Sequence, residues 1–303
     1  MATFARSAFN VKAYSAIRPV FPPQFFEGIY AYHANAGKGK GEFKRCVDLG
    51  CGTGQATTVL AEKFDEVIGV EPSGPMVERA RNLLRETEEL KVVGDKVRFV
   101  QSAAEELPFL EDESVDMVTA SQAAHWFDYS RLWPELGRVL KPNGAVAFFG
   151  YGEMRLPDHP SSTSLIGEFT HGPELDSNWE QPGRSIVEAL LDPIPSPGLP
   201  FDPSTEQRIK YSGSYFPKPE VPDPQPVILS KRMNRQDLDT YARTFSALHT
   251  FWEKHPEDKQ RSDGDFATRF VARMMQVISE DGGNTNEFTV DWPAGLILVK
   301  KAA

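Results

Sequence analysis

From Arg45 to Gly150, short unbroken runs of apolar residues alternate with longer stretches in which apolar positions recur every three or four residues. Cys46–Leu49, Val67–Val70, Val97–Gln101, Val115–Ala120 and Ala145–Phe149 read as five strands, and helices fill the gaps. Strands that are apolar throughout, rather than at every second position, belong to a parallel sheet covered on both faces. The segment Gln55 to Phe64 suits a helix, and Ser73-Gly74-Pro75 opens another with a capping hydroxyl and an early proline, after which Met76, Ala80 and Leu83 or Leu84 recur at helical spacing. Lys141-Pro142-Asn143-Gly144 reads as a turn that stops a helix and feeds the fifth strand.

The pattern changes after Tyr151. Prolines at 193, 195, 197, 200, 203, 217, 219, 222, 224 and 226 break regular structure, so this stretch is expected to be an insertion of loops and short pieces. Asn234 to Trp252 then carries Leu238, Tyr241, Phe245, Leu248 and Trp252 on one helical stripe, with Asn234 as N-cap. Phe288–Trp292 and Leu296–Val299 close the chain as strands, the last a central and buried one.

Within this pattern, Val47-Asp48-Leu49-Gly50-Cys51-Gly52-Thr53-Gly54 carries the chemistry. A strand runs into three alternating glycines, where the backbone can approach a ligand closely, and the helix that follows points its first amides into the same crevice. Seventeen residues after Gly54, the second strand ends in Glu71, placed to accept hydrogen bonds from both hydroxyls of a ribose. Asp48 stands where a pyrophosphate would bind in a dinucleotide site, and an anion there favours a cationic ligand over a phosphate. Neither G-x-G-x-x-G nor a lysine-bearing P-loop is present. A structural reading of the same glycines, as a plain strand-to-helix turn, stands beside the functional one.

Composition narrows the partners. The 303 residues are 40% hydrophobic and carry a net charge of -10, which suits one elaborated domain and argues against nonspecific nucleic-acid binding. No run of about eighteen apolar residues is present to span a membrane. The opening Met-Ala-Thr-Phe-Ala-Arg is too poor in apolar residues for a secretory signal, and Cys46 and Cys51 both fall in the glycine-loop region rather than forming a framework. A cytoplasmic monomer without a metal site is expected.

The phrase D-L-G-C-G-T-G-Q resembles motif I of the class I S-adenosylmethionine-dependent methyltransferases. The resemblance implies an α/β, Rossmann-like fold with a mixed seven-stranded sheet, helices on both faces and a substrate-cap insertion. It divides a single domain into an N-terminal lid (1–44), a cofactor-binding core (45–150), a cap with its helices (151–260) and a closing helix and strands (261–303). It implies S-adenosyl-L-methionine as cofactor, held by Asp48, Gly50, Cys51, Gly52, Thr53, Gly54, Gln55, Glu71, Pro72, Ser73, Met76, Ser121 and Gln122. Ser102-Ala103-Ala104-Glu105 resembles the adenine-contacting loop. Ala103 stands where many relatives carry an aspartate, which leaves that contact to Ser102 or to backbone atoms. Tyr14, Arg18, Pro19 and Pro22 form the Tyr-x-x-x-Arg-Pro-x-x-Pro phrase of many small-molecule methyltransferases, with Tyr14 covering the sulfonium or, equally, docking the tail on the sheet.

Ala124-His125-Trp126-Phe127-Asp128, Trp179 to Ser185 and Tyr241 to Ala247 together resemble fungal trans-aconitate methyltransferases, which esterify a carboxylate of a small tricarboxylic acid. On that resemblance His125 and Trp126 are the catalytic candidates, His125 as donor or orienter, because a carboxylate is already ionised at neutral pH and needs no strong base. Trp179, Arg184 and Arg243, with Arg232 or Arg235, are the candidates for gripping an anionic substrate, since guanidinium forks match carboxylates. Two other readings remain open: transfer to a phenol or other small metabolite, with His125 as a true base, and a cofactor-binding regulator without chemistry.

Overall fold

The computed structural model describes residues 17–35, 41–215 and 223–303. Its contacts divide the chain into two compact units. One comprises Phe21–Gly152, Ser185–Lys210 and Ala294–Ala303; the other comprises Glu153–Arg184, Tyr211–Pro293 and the segment ending at Val20.

The first unit is built on a seven-stranded sheet. β1 (Arg45–Leu49), β2 (Glu66–Glu71), β3 (Val97–Gln101), β4 (Val115–Ser121) and β5 (Leu140–Tyr151) pair in parallel, and with β6 (Phe201–Tyr211) and β9 (Ala294–Lys301) they stand in the order β3-β2-β1-β4-β5-β9-β6. β9 runs antiparallel to β5, so the sheet is mixed. Every residue of β9 is buried, as a strand between two others under helices requires. β1 is an inner strand beside the central β4, and the order reverses at their border, which is where ligands of open α/β sheets bind. α1 (Pro23–Ala34), α2 (Gln55–Leu60), α3 (Gly74–Glu86) and α4 (Tyr129–Val139) accompany these strands. α4 places Leu132, Trp133, Leu136 and Val139 in the core with Phe148 and Phe201.

Several local expectations are corrected. The turn at Lys141–Gly144 lies inside β5, where the pairing shifts from Val115↔Leu140 to Met117↔Ala145 and Asn143 takes a left-handed φ of 63°. The result is a bulge, not a break. The proline-rich stretch contains the eleven-residue β6, because β6 is the last strand of the sheet and Pro203 needs no partner on an open edge. Ser73 starts α3, but its side chain does not cap it.

The second unit holds a two-stranded sheet of β7 (Leu229–Met233) and β8 (Phe288–Trp292), with α5 (Ser162–His171), α7 (Arg235–Ala242), α8 (Ser246–Lys254) and α9 (Phe266–Glu280). α6 (Gly183–Glu188) straddles the division of the chain. Asn234 caps α7 as expected, through a reciprocal pair with Asp237. The stripe from Leu238 to Trp252 is buried but splits into two helices, because Phe245 adopts an extended conformation. Arg18 donates to both Thr244 Oγ1 and Thr244 O, at 3.0 and 3.2 Å, and so fastens the break. Among the described residues no helix is long and apolar enough to cross a membrane.

Candidate active site

The carboxyl ends of β1 to β4 bring the expected cofactor residues together. Gly50, Gly52 and Gly54 all have positive φ, of 63°, 56° and 87°. A Cβ at Gly50 would lie 2.4 Å from Ala123 Cβ, so the loop after β1 and the loop after β4 approach each other only because position 50 is glycine. At Gly52 a Cβ would find only Met76 Sδ, 4.0 Å away, which leaves the middle of the loop bordering open space.

Glu71 closes this cradle. Its Oε2 accepts the Gly52 N–H at 3.0 Å and its Oε1 accepts the Ser73 N–H at 2.9 Å. Each oxygen keeps lone-pair capacity for a further donor. Burial raises the carboxyl's pKa, against the lowering effect of the two backbone donors. Beside it the buried Ser73 hydroxyl lacks a hydrogen-bond partner. A carboxylate with spare acceptor sites, an unused hydroxyl and an open glycine backbone fit the ribose end of a nucleoside cofactor.

Asp48 lies behind the loop, fully buried. It accepts from Thr57 Oγ1 at 2.7 Å and from Thr119 Oγ1 at 3.0 Å. Burial pushes its pKa up to about 6, against those two hydrogen bonds. Cys51 donates its N–H to Val70 O, and burial pushes its thiol well above the ordinary range. Thr53 lies in the turn, Gln55 begins α2, and Met76 is buried on the first turn of α3. Pro72 accepts a hydrogen bond from Gln101.

The remaining loops complete the edge. Ser102 donates its N–H to Glu71 O and its hydroxyl to Glu106 O, Ala103 and the buried Ala104 follow, and Glu105 accepts the Asp128 N–H. Ser121 ends β4. Gln122 takes a φ of 54° and uses its whole side-chain amide on the backbone of Tyr151, accepting at 2.7 Å and donating at 3.1 Å.

His125 and Trp126 occupy a short turn directly after this, with ring centroids 4.8 Å apart. Trp126 is exposed, whereas the imidazole is half-buried with its Nδ1 enclosed and unpaired. Burial lowers the His125 pKa to about 3, so the ring is neutral across the physiological range.

Tyr14 lies outside the described residues. The second unit holds the substrate candidates. Arg184 stacks on Trp179 at 4.1 Å and contacts Glu153 Oε1 at 3.1 Å, with only 13% of its side chain exposed. Trp179 is itself anchored by donating Nε1–H to Thr170 O at 2.7 Å. Glu153 also binds Arg155 and the Thr170 hydroxyl. Burial would raise its pKa, but Thr170, Arg184 and Arg155 together hold it below the ordinary carboxylate value. Arg243 has a different environment: its Nε, Nη1 and Nη2 donate to Asp239, Asp265 and Thr268, a structural knot between α7 and α9. Arg232 is exposed and pairs with Glu287.

Three contributors were not anticipated: Thr57 and Thr119, which fix Asp48, and Glu153, which fixes Arg184. Thr119 is the direct register partner of Asp48, a relationship that appears only once β1 and β4 are paired.

Residues 47–148 match the methyltransferase domain family. The chain is similar in structure to a protein of Anaeromyxobacter dehalogenans described as a "Putative Type II Methyltransferase", at a TM-score of 0.62 and 24% identity over 93% of this chain and 97% of that one. That likeness bears on the fold. The sheet is thus a Rossmann-like methyltransferase fold, the matched segment carries the glycine loop, and the cofactor is S-adenosyl-L-methionine.

In sequence the chain is similar to a Saccharomyces cerevisiae protein described as "Probable S-adenosylmethionine-dependent methyltransferase". The two are 34% identical over 167 residues, or 55% of this chain and 54% of the yeast protein, so the match spans about half the length of that relative. A Dictyostelium discoideum "Putative methyltransferase" is 25% identical over 96% of this chain and 92% of its own length.

Proposed function

We propose that this protein transfers the methyl group of S-adenosyl-L-methionine to a carboxylate oxygen of a small di- or tricarboxylic acid, with trans-aconitate as the substrate class to test first. The observation that carries the choice of acceptor is the enclosed Nδ1 of His125, which has no carboxylate or carbonyl partner among the described residues to orient and charge the ring as a general base. A neutral imidazole whose pKa is lowered to about 3 is too weak a base to activate a phenol. A carboxylate, with a reference pKa near 4, is ionised without help. S-adenosyl-L-methionine held by Glu71 and the glycine loop would supply an electrophilic sulfonium methyl, and transfer of that methyl to the carboxylate oxygen would give the methyl ester and S-adenosylhomocysteine.

The protein's part is binding and orientation. Glu71, already tied to Gly52 and Ser73, accepts the ribose hydroxyls. Asp48 keeps the cradle negative behind the loop and holds Thr57 at the start of α2. The loop of Ser102, Ala103, Ala104 and Glu105 borders the adenine, with Ser102 N–H committed to Glu71 O. Ser121, Gln122, His125 and Trp126 form the wall after β4, where Gln122 acts by fixing the ends of β4 and β5. Arg184, whose planar guanidinium is stacked on Trp179 and paired on one nitrogen with Glu153, is the guanidinium assigned to the acid's carboxylate, which would share it with Glu153. Arg243 is left out of this role because all three of its nitrogens are committed to two carboxylates and a hydroxyl, of Asp239, Asp265 and Thr268.

The test is incubation of the protein with methyl-labelled cofactor and two panels of acceptors, polycarboxylic acids and phenols, with products read by mass spectrometry and by lability to hydroxide. Labelled methyl esters from the acids alone support the reading. Hydroxide-stable ethers from phenols alone would overturn it.

A further inference from the structure

The sheet has a second concave surface at the opposite edge from the glycine loop. β9 is antiparallel to β5 and pairs Lys300 with Ala145, where regular pairing resumes after the bulge, six residues before Tyr151. There a groove of about 510 Å³ is lined by Tyr32 of α1, Asn143 of the β5 bulge, Asp202, Thr205 and Gln207 of β6, and Lys300. Its walls are tied together: Tyr32 donates its hydroxyl to Thr205 O at 2.8 Å, and the Lys300 N–H donates to Thr205 Oγ1 at 3.0 Å.

Lys300 is only 6% exposed, and its ammonium rests over the Tyr32 ring at 4.7 Å, with neither a carboxylate nor a hydrogen-bond acceptor on it among the described residues. Its neighbour Lys301 differs, donating to Glu113 and to Leu140 O. Asp202, the acid of the groove, turns its Oδ1 to the Ser204 N–H and hydroxyl. The side chain is buried while the ammonium faces the groove, where one aromatic ring replaces only part of the water it has lost and an acceptor would replace more. Burial accordingly lowers the Lys300 pKa.

We propose that this groove is a second ligand site, in which the Lys300 ammonium binds a small oxyanion, carboxylate or phosphate, with the side-chain amides of Asn143 and Gln207 as further donors. The site uses none of the residues assigned to methyl transfer, so it stands or falls independently of that reaction.

The test is calorimetry on the full chain with inorganic phosphate in one arm and citrate in the other, for the wild type, Lys300→Met and Gly28→Leu. Gly28 borders the groove from α1, and a Cβ there meets nothing within 4 Å, so leucine adds apolar bulk at the groove wall without a backbone clash. The expected result is saturable binding of one anion that both variants weaken by about 10- to 100-fold, as loss of a charge-assisted hydrogen bond or of the volume predicts. S-adenosylhomocysteine affinity, measured alongside, should stay unchanged and certifies the fold. Two results would overturn the proposal: no saturable binding of either anion to the wild type, or binding that Lys300→Met and Gly28→Leu leave intact.

Discussion

Glu71 Oε2 accepts the backbone N–H of Gly52 at 3.0 Å, which ties the end of β2 to the middle of the glycine loop. The residue assigned to the ribose is therefore also a strut of the cradle. Glu71→Ala should weaken S-adenosylhomocysteine binding by about 2 to 4 kcal/mol, because two hydrogen bonds to a charged acceptor disappear and water restores part. It should also destabilise the protein without ligand by about 1 to 3 kcal/mol, since two backbone donors lose their partner. Calorimetry and urea unfolding read the two effects separately. Lost affinity with unchanged stability would show that the strut carries no load.

The fully buried Asp48 makes stability depend on pH in a defined direction. Its folded pKa of about 6 lies above the ordinary 3.8, so between those values the folded state holds a proton that the unfolded chain has released. Stability is thus greatest below the unfolded pKa and falls as pH rises through about 6. Relative to Asp48→Asn, the wild type should lose about 3 kcal/mol between pH 3.5 and 7, taking 1.36 kcal/mol for each unit. Chemical unfolding of both proteins across that range is the measurement, and parallel profiles would contradict the assignment.

Much of this architecture is legible in the chain because its signals are local. Five apolar runs and a glycine loop mark β1 to β5 and the cradle, and each is recognisable within a dozen residues. What escapes a linear reading depends on partners far apart. Thr119 meets Asp48 only through strand pairing, and Pro203 is tolerated only because β6 ends the sheet. Arg243 looks like an unpaired cation, although Asp239 one helical turn before it was a readable signal; Asp265 was not.

Gly28 offers a test of stability outside the cofactor cradle. It sits within α1, is exposed, and has no atom within 4 Å of where a Cβ would stand. Gly28→Ala should therefore add about 0.5 to 1 kcal/mol by restricting the unfolded chain, with cofactor affinity unchanged. Urea midpoints compare the two proteins. A loss of stability would mean that the helix is crowded at this position.

His125 separates the two acceptor chemistries. With its ring neutral well below pH 6, kcat/KM for a polycarboxylic acid should stay flat from about pH 6.5 to 9, and His125→Gln should retain appreciable activity. A rate that falls below a pKa near 6.5, and a His125→Gln variant that abolishes both the activity and that limb, would instead indicate base catalysis.

Arg184 is the sharpest test of substrate charge. Its guanidinium is largely buried, stacked on Trp179 and steadied by Glu153, so replacing it removes a rigid fork rather than a loose surface cation. Glu153 would keep Arg155 and the Thr170 hydroxyl, which protects the fold of Arg184→Met. If the fork grips a substrate carboxylate, Arg184→Met should lower kcat/KM for a polyacid by about 100-fold or more, since loss of one partner of a desolvated charge pair costs roughly 2 to 5 kcal/mol. Arg184→Lys should recover only part, because it keeps the charge and loses the planar geometry. Steady-state methylation of trans-aconitate, beside an analogue with one carboxylate esterified, distinguishes charge reading from general damage. Equal impairment of both acceptors, or of neither, would remove Arg184 from substrate recognition and with it the physical support for a polyacid.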